Sequence, residues 1–152
     1  MSKDSAPIVI CYDGSPGAAR AIGAAAKLLG PRRAVVVDVA APITPAESVA
    51  TISPVVPSAA FEQENTEEAS SVAARGAQLA RDAGFEAEGR AALGTPTWEG
   101  VVTIAEEIDA AAIVIGSRGL DGVHEFFEGS LSHAVAEHAR RPVLIVPPHD
   151  DR

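Results

Sequence analysis

The sequence predicts an open α/β domain in which five parallel strands alternate with four helices that cover both faces of one sheet. Three observations carry that expectation. Short, continuous apolar runs recur along the chain, the form a strand takes when both of its faces are buried. Longer segments lie between them, with apolar residues returning every three or four positions. Turn and cap residues punctuate the boundaries. No internal repeat or composition break divides the chain, so a single domain over residues 1–152 is expected.

The elements follow in order. Ile8-Val9-Ile10-Cys11-Tyr12 is the first strand, and it ends in the turn cluster Asp13-Gly14-Ser15-Pro16. Ala18, Ile22, Ala25, Ala26 and Leu29 then share one helical face, and Gly30-Pro31 stops the helix. Ala34 to Val39 reads as the second strand. Residues 41–60 hold Pro42, Pro45, Pro54 and Pro57, so this stretch reads as a flexible loop. A second helix is expected from Phe61 to Ala83, with Ala69, Val72, Ala73, Leu79, Ala80 and Ala83 as its core stripe. Glu62, Glu64, Glu67 and Glu68 load its first turns with charge that suits a helix N-terminus.

Phe85 to Ala92 alternates in polarity, as an edge strand does. Thr95-Pro96 caps the third helix, whose buried face is Val101, Ile104, Ala105 and Ile108. Ala111 to Ile115 is the fourth strand and ends at Gly116. Leu131, Ala134, Val135, His138 and Ala139 mark the last helix, and Val143-Leu144-Ile145-Val146 the fifth strand. Residues 147–152 form a tail. With strand 1 central and strand 4 its neighbour across the switch, the expected strand order is 3-2-1-4-5.

Composition narrows the function. The chain carries 21 acidic and 12 basic residues, a net charge of -9. That balance argues against a nucleic-acid backbone or an anionic membrane as partner. No apolar run approaches the about 20 residues that span a bilayer. Alanine alone supplies 30 of the hydrophobic residues, yet the larger apolar side chains that remain still suffice for one core of ordinary size. One cysteine allows neither an internal disulfide nor a cysteine-based zinc site, and a cytoplasmic location is expected.

Open parallel sheets bind ligands beyond the carboxyl ends of their strands, where the strand order reverses. The chain places unusual residues there. Asp13 ends strand 1, and Gly116-Ser117-Arg118-Gly119 follows strand 4. Gly129-Ser130-Leu131-Ser132 opens the last helix. Glycine lets backbone N–H groups approach an anion, and a helix start adds unpaired donors and the positive end of its dipole. Ser130 and Ser132 add hydroxyls, and Arg118 a cation. This is a phosphate nest that needs no basic protein around it. Neither Gly-x-x-x-x-Gly-Lys-[Ser/Thr] nor Gly-x-Gly-x-x-Gly occurs at these places, so the Walker loop and the usual dinucleotide fingerprint are absent.

Gly116-x2-Gly119-x9-Gly129-Ser130 resembles the nucleotide-binding signature of the universal stress protein family, in its ATP-binding branch. Tyr12-Asp13-Gly14-Ser15, Gly94-Thr95-Pro96 and the segment from His138 to Val146 resemble other parts of the same family. The resemblance implies ATP in the switch-point crevice, with Mg²⁺ held mainly by phosphate oxygens. It places Asp13 against the adenosine and Val39 along the adenine. Gly116, Ser117, Arg118, Gly119, Gly129, Ser130, Leu131 and Ser132 fall around the ribose and phosphates. It also implies a homodimer through Val143, Leu144, Ile145 and Val146, and a nucleotide-dependent role in stress response as regulator or sensor.

The loop between the glycines departs from the pattern, carrying Asp121, Glu125 and Glu128. A carboxylate beside a triphosphate repels it unless a metal or Arg118 intervenes. Two alternatives therefore stand beside the ATP-binding reading. One is a nucleotide-free dimer that acts by protein contacts. The other is a slow ATPase or autophosphorylating enzyme, motivated by Ser130 and Ser132. No nucleophile elbow, His-x-x-x-His pair or acid–base set supports committed catalysis. Asp13 reads as a ligand contact rather than a helix cap. Cys11 reads as a small buried apolar residue, Trp98 as packing, and His138 as a hydrogen-bonded core histidine.

Overall fold

A computed structural model describes residues 5–39, 58–92, 97–117 and 131–147; the side chains of residues 58–66 and 68 lie outside the description. The strands are β1 (Ile8–Tyr12), β2 (Arg33–Asp38), β3 (Glu86–Ala91), β4 (Ala112–Gly116) and β5 (Val143–Val146). The helices are α1 (Pro16–Leu29), α2 (Ser58–Asp82), α3 (Thr97–Glu107) and α4 (Leu131–His138). All five strands are parallel and join in one sheet of order β3-β2-β1-β4-β5, as expected from the sequence.

Side-chain alternation along the strands sorts the core into two layers. Ile8, Ile10, Tyr12, Ala34, Val36 and Val114 face α1 and α2, with Ala18, Ala21, Ile22 and Ala25 of α1 against them. Val9, Cys11, Val35, Val37, Ile113 and Ile115 face α3 and α4, through Val101, Ile104, Ala105 and Val135. Full burial of each large aliphatic side chain contributes roughly 1.5–3 kcal/mol. The three central strands therefore carry much of the stability. The small side chains of α1 let it settle close to the sheet.

Local chemistry sets the helix ends. Ser15 caps α1: its hydroxyl accepts from the Ala18 N–H at 3.1 Å, with Pro16 as the first helical residue. At the other end the Gly30 N–H donates to the Ala26 carbonyl, and Arg32 donates twice to the Leu29 carbonyl, at 3.2 and 2.8 Å. α2 lies exceptionally close to the sheet. A Cβ at Gly89 of β3 would sit 2.7 Å from the backbone of Ala73, and one at Gly76 of α2 would sit 2.6 Å from Cδ1 of Tyr12.

Several boundaries and faces differ from the sequence expectation. β2 begins at Arg33, paired with Glu86, and ends at Asp38, so Val39 lies one residue beyond it. α2 begins at Ser58, directly after Pro57 and three residues inside the stretch expected to be loop. Its first turn therefore holds no acidic residue, and the glutamates lie beyond the reach of the dipole argument. Its buried face runs through Val72, Ala73, Ala77 and Ala80, spaced by helical turns, which leaves Leu79 and Ala83 on the solvent side. His138 is exposed rather than in the core, because α4 ends there and its buried residues are Ser132 and Val135. Among the described residues, no helix is long and apolar enough to cross a membrane.

Candidate functional site

The sheet divides at its carboxyl end. β1 pairs with β2 along its whole length, from Ile8 with Ala34 to Tyr12 with Asp38. Its pairing with β4 stops earlier, at Ile10 with Val114. Beyond that point each half continues with its outer neighbour. The Val39 N–H donates to the Tyr12 carbonyl at 3.0 Å, and the Ser117 N–H donates to the Val146 carbonyl at 2.9 Å. The end of β4 is paired with β5 as far as Gly116 with Val146. A crevice thus opens between the β1–β2 and β4–β5 pairs, at the point where the strand order reverses.

Asp13 stands on one side of this division and Gly116 and Ser117 on the other. Asp13 Oδ1 accepts from the Ser15 N–H at 2.9 Å, which fixes the carboxylate over the turn after β1. Ser15, not Asp13, is the cap of α1, so Asp13 is spared that task. Gly14, at φ 84°, makes the turn that the position requires. Gly116 lies where the first turn of α1 crosses the end of β4: a Cβ there would meet the Gly17 carbonyl at 3.4 Å, an ordinary contact, so packing by itself does not demand glycine at this position.

Val39 follows β2 and packs against the α3–α4 layer of the core. Leu131 opens α4 and packs on the same layer, and Ser132 beside it is buried. Arg118, Gly119, Gly129 and Ser130 lie outside the described residues, as do Asp121, Glu125 and Glu128. Of the expected site residues, Asp13, Val39, Gly116 and Ser117 therefore lie at the carboxyl edge of the sheet, and Leu131 and Ser132 open α4.

Asp38 is a feature that the sequence analysis passed over. It is a buried carboxylate at the last position of β2, in register with Tyr12 and on the same face as Ala34 and Val36. A buried carboxylate is costly unless it is hydrogen-bonded. The signal was available: Asp38 interrupts an otherwise apolar run at the carboxyl edge.

Cys11 lies one strand position inside the crevice. Burial pushes its thiol up from the ordinary value of 9.0 to about 12, and the charge of Asp13 adds to the effect. It remains a protonated thiol at neutral pH and cannot act as a nucleophile there. Among the described residues, no group of three or more His, Cys, Asp or Glu side chains could hold a metal ion. A groove of about 210 Å³ lies at the opposite, amino edge of the sheet, lined by Pro7, Arg33, Val35, Glu86 and Glu88 among others. It gathers none of the expected site residues.

The strand order, the divided carboxyl edge and the two helical layers define a doubly wound α/β protein with its candidate site at the switch point. The chain belongs to the universal stress protein family, whose family model matches residues 5–147. It is 41 % identical over 69 residues to the universal stress protein YxiE of Bacillus subtilis (strain 168). That match covers 45 % of this chain and 46 % of YxiE, less than half of either.

Among solved structures, the fold is similar to that of the hypothetical protein MJ0577, the subject of a structure-based assignment of biochemical function. The TM-score is 0.72 and the identity 25 %, over 95 % of this chain and 97 % of the other. It is also similar to a universal stress protein in complex with cAMP, at a TM-score of 0.63 and 22 % identity, over 92 % and 95 % of the two chains.

Proposed function

We propose that this protein binds ATP in the crevice between β1 and β4 and acts as a nucleotide-dependent regulator or sensor in stress response. The observation that carries the reading is the early end of β1–β4 pairing, with Asp13 on one side and Gly116 and Ser117 on the other. Asp13 would meet the adenosine and Val39 the adenine. Gly116, Ser117, Arg118, Gly119, Gly129, Ser130, Leu131 and Ser132 would surround the ribose and phosphates, with backbone donors doing most of the anion binding. Mg²⁺ would arrive with the nucleotide, held mainly by its phosphate oxygens. A family member in complex with cAMP supports an adenine nucleotide as the ligand class.

Calorimetry with Mg-ATP tests this directly. The wild-type protein should bind, while Gly119→Ala and Gly129→Val weaken binding by at least about tenfold, since a side chain there keeps backbone donors from the phosphates. No heat of binding up to about 1 mM ATP, a binding free energy near -4 kcal/mol, would sink the proposal. Recovery of adenine nucleotide from the purified protein is the quicker observation. It separates this reading from a nucleotide-free dimer, which the acidic residues Asp121, Glu125 and Glu128 favour.

A further inference from the structure

Few side chains hold α4 in place. Of its eight residues only Ser132 and Val135 are buried. At 1.5 Å per residue a helix of this length is about 12 Å long. Leu131 and Ser132 seat its first turn on the core, and whatever fixes its last turn sets the direction of the helix axis.

The last residue, His138, stacks on Trp98, with ring centroids 4.0 Å apart and planes 21° from parallel. Trp98 belongs to the first turn of α3 and packs on the core layer that contains Val135. His138 Nδ1 lies 2.9 Å from the Ala134 carbonyl. A carbonyl only accepts, so Nδ1 carries the hydrogen, and the ring is oriented by two contacts at once. Just beyond, the Ala139 N–H donates to the Val135 carbonyl at 2.8 Å. Arg141 Nη1 donates to the Ala110 carbonyl at 2.6 Å and to Asp109 Oδ1 at 3.0 Å, which pins the chain after α4 to the turn before β4. The C-terminal end of α4 is thus tied to α3 by the ring stack and to the α3–β4 turn by Arg141.

We infer that Trp98 and His138 form a positioning pair for the phosphate end of the nucleotide site. The pair orients α4, whose first turn opens with Leu131 and Ser132, and touches no ligand itself. The inference rests on the ATP-binding reading above. Backbone N–H groups at a helix start act on an anion only when aimed at it, so a tilt of α4 weakens phosphate contacts and spares contacts to the base and ribose. A ring stack of this kind biases an equilibrium by a few-fold to about tenfold.

The test compares Mg-ATP with adenosine, which lacks the phosphates, on the full chain. In His138→Ala, ATP affinity should fall about three- to tenfold while adenosine affinity holds. His138→Phe, which keeps a ring on Trp98, should restore ATP binding. Trp98 is the only tryptophan of the chain, so its emission reports the stack and should change in His138→Ala. Unchanged emission, or a variant that loses thermal stability but keeps the wild-type ratio of ATP to adenosine affinity, overturns the inference and leaves nucleotide binding standing. A wild-type protein that binds neither ligand overturns the nucleotide reading, and this inference with it.

Discussion

Cys11 shows how a single buried group reports on the molecule. It occupies the middle of the α3–α4 core layer, almost without exposure, and its thiol is pushed up to about 12 from 9.0. An unfolded chain would ionise that thiol near its ordinary value, whereas the folded one holds the proton. Between those two values the folded state binds more protons than the unfolded state, so stability falls as pH rises from about 9 towards 12. Melting temperature followed from pH 8 upwards should therefore decline less steeply in Cys11→Ala than in the wild type. The native thiol should also resist alkylation at pH 8 and react fully only in denaturant. Rapid modification of the folded protein would show that Cys11 is not enclosed.

At the scale of elements, the contact of α2 with β3 is the most demanding fit. Ala at Gly89 would drive a methyl group into the backbone of Ala73 and Ala74, at 2.7–3.0 Å, where no side chain can swing aside. Gly89→Ala should cost roughly 1–3 kcal/mol, or several degrees of melting temperature. Gly23 of α1 provides the opposite sign, because a Cβ there meets nothing within 4 Å. Gly23→Ala should stabilise by roughly 0.4–1 kcal/mol, since alanine restricts the unfolded chain and favours the helix. Thermal melts of the two variants side by side check both signs.

The same scale shows where periodicity misleads. Leu79 belongs to the expected core stripe, yet it is exposed, because the face of α2 that seats on Gly89 runs through Val72, Ala73, Ala77 and Ala80. His138 continues the apolar stripe of α4 in spacing, but as the last residue of the helix it is exposed, its ring laid on Trp98 rather than in the core. The glutamates near the start of α2 suit a helix N-terminus at Phe61, not one at Ser58. Proline had marked the boundary better, since α2 begins at the residue after Pro57.

For the whole molecule, the two edges of the sheet differ in character. β3, at one edge, carries Glu86, Glu88 and Arg90, and Arg90 pairs with Glu107 of α3 at 3.1 Å. Charges of this kind discourage another strand from adding there. β5, at the other edge, is Val143-Leu144-Ile145-Val146, with Ile145 exposed at 42 %. An apolar edge strand with an outward isoleucine is a surface to be covered. We propose that a second copy of the chain covers it, giving a homodimer through β5. Sedimentation should find a dimer for the wild type and mostly monomer for Ile145→Asp. A monomeric wild type at tens of micromolar would remove the proposal.

The sequence by itself determined the elements and their alternation. β1 and β5 run between the residues expected, because an apolar run bounded by turn residues leaves little freedom at its ends. The alternation then required a parallel sheet covered on both faces, and the glycine and serine spacing identified the family. Tertiary structure decided what a run such as Ile8 to Tyr12 cannot encode. Buried on both faces, it has no polar side to say which residues meet α1 and which meet α3, and nothing in it states that pairing with β4 ends at Ile10. Asp13 and Ser117 are brought to one crevice from opposite parts of the chain only because β1 and β4 are neighbours that part. Backbone hydrogen bonds drawn outward, to β2 on one side and β5 on the other, are the physical reason that the opening is there.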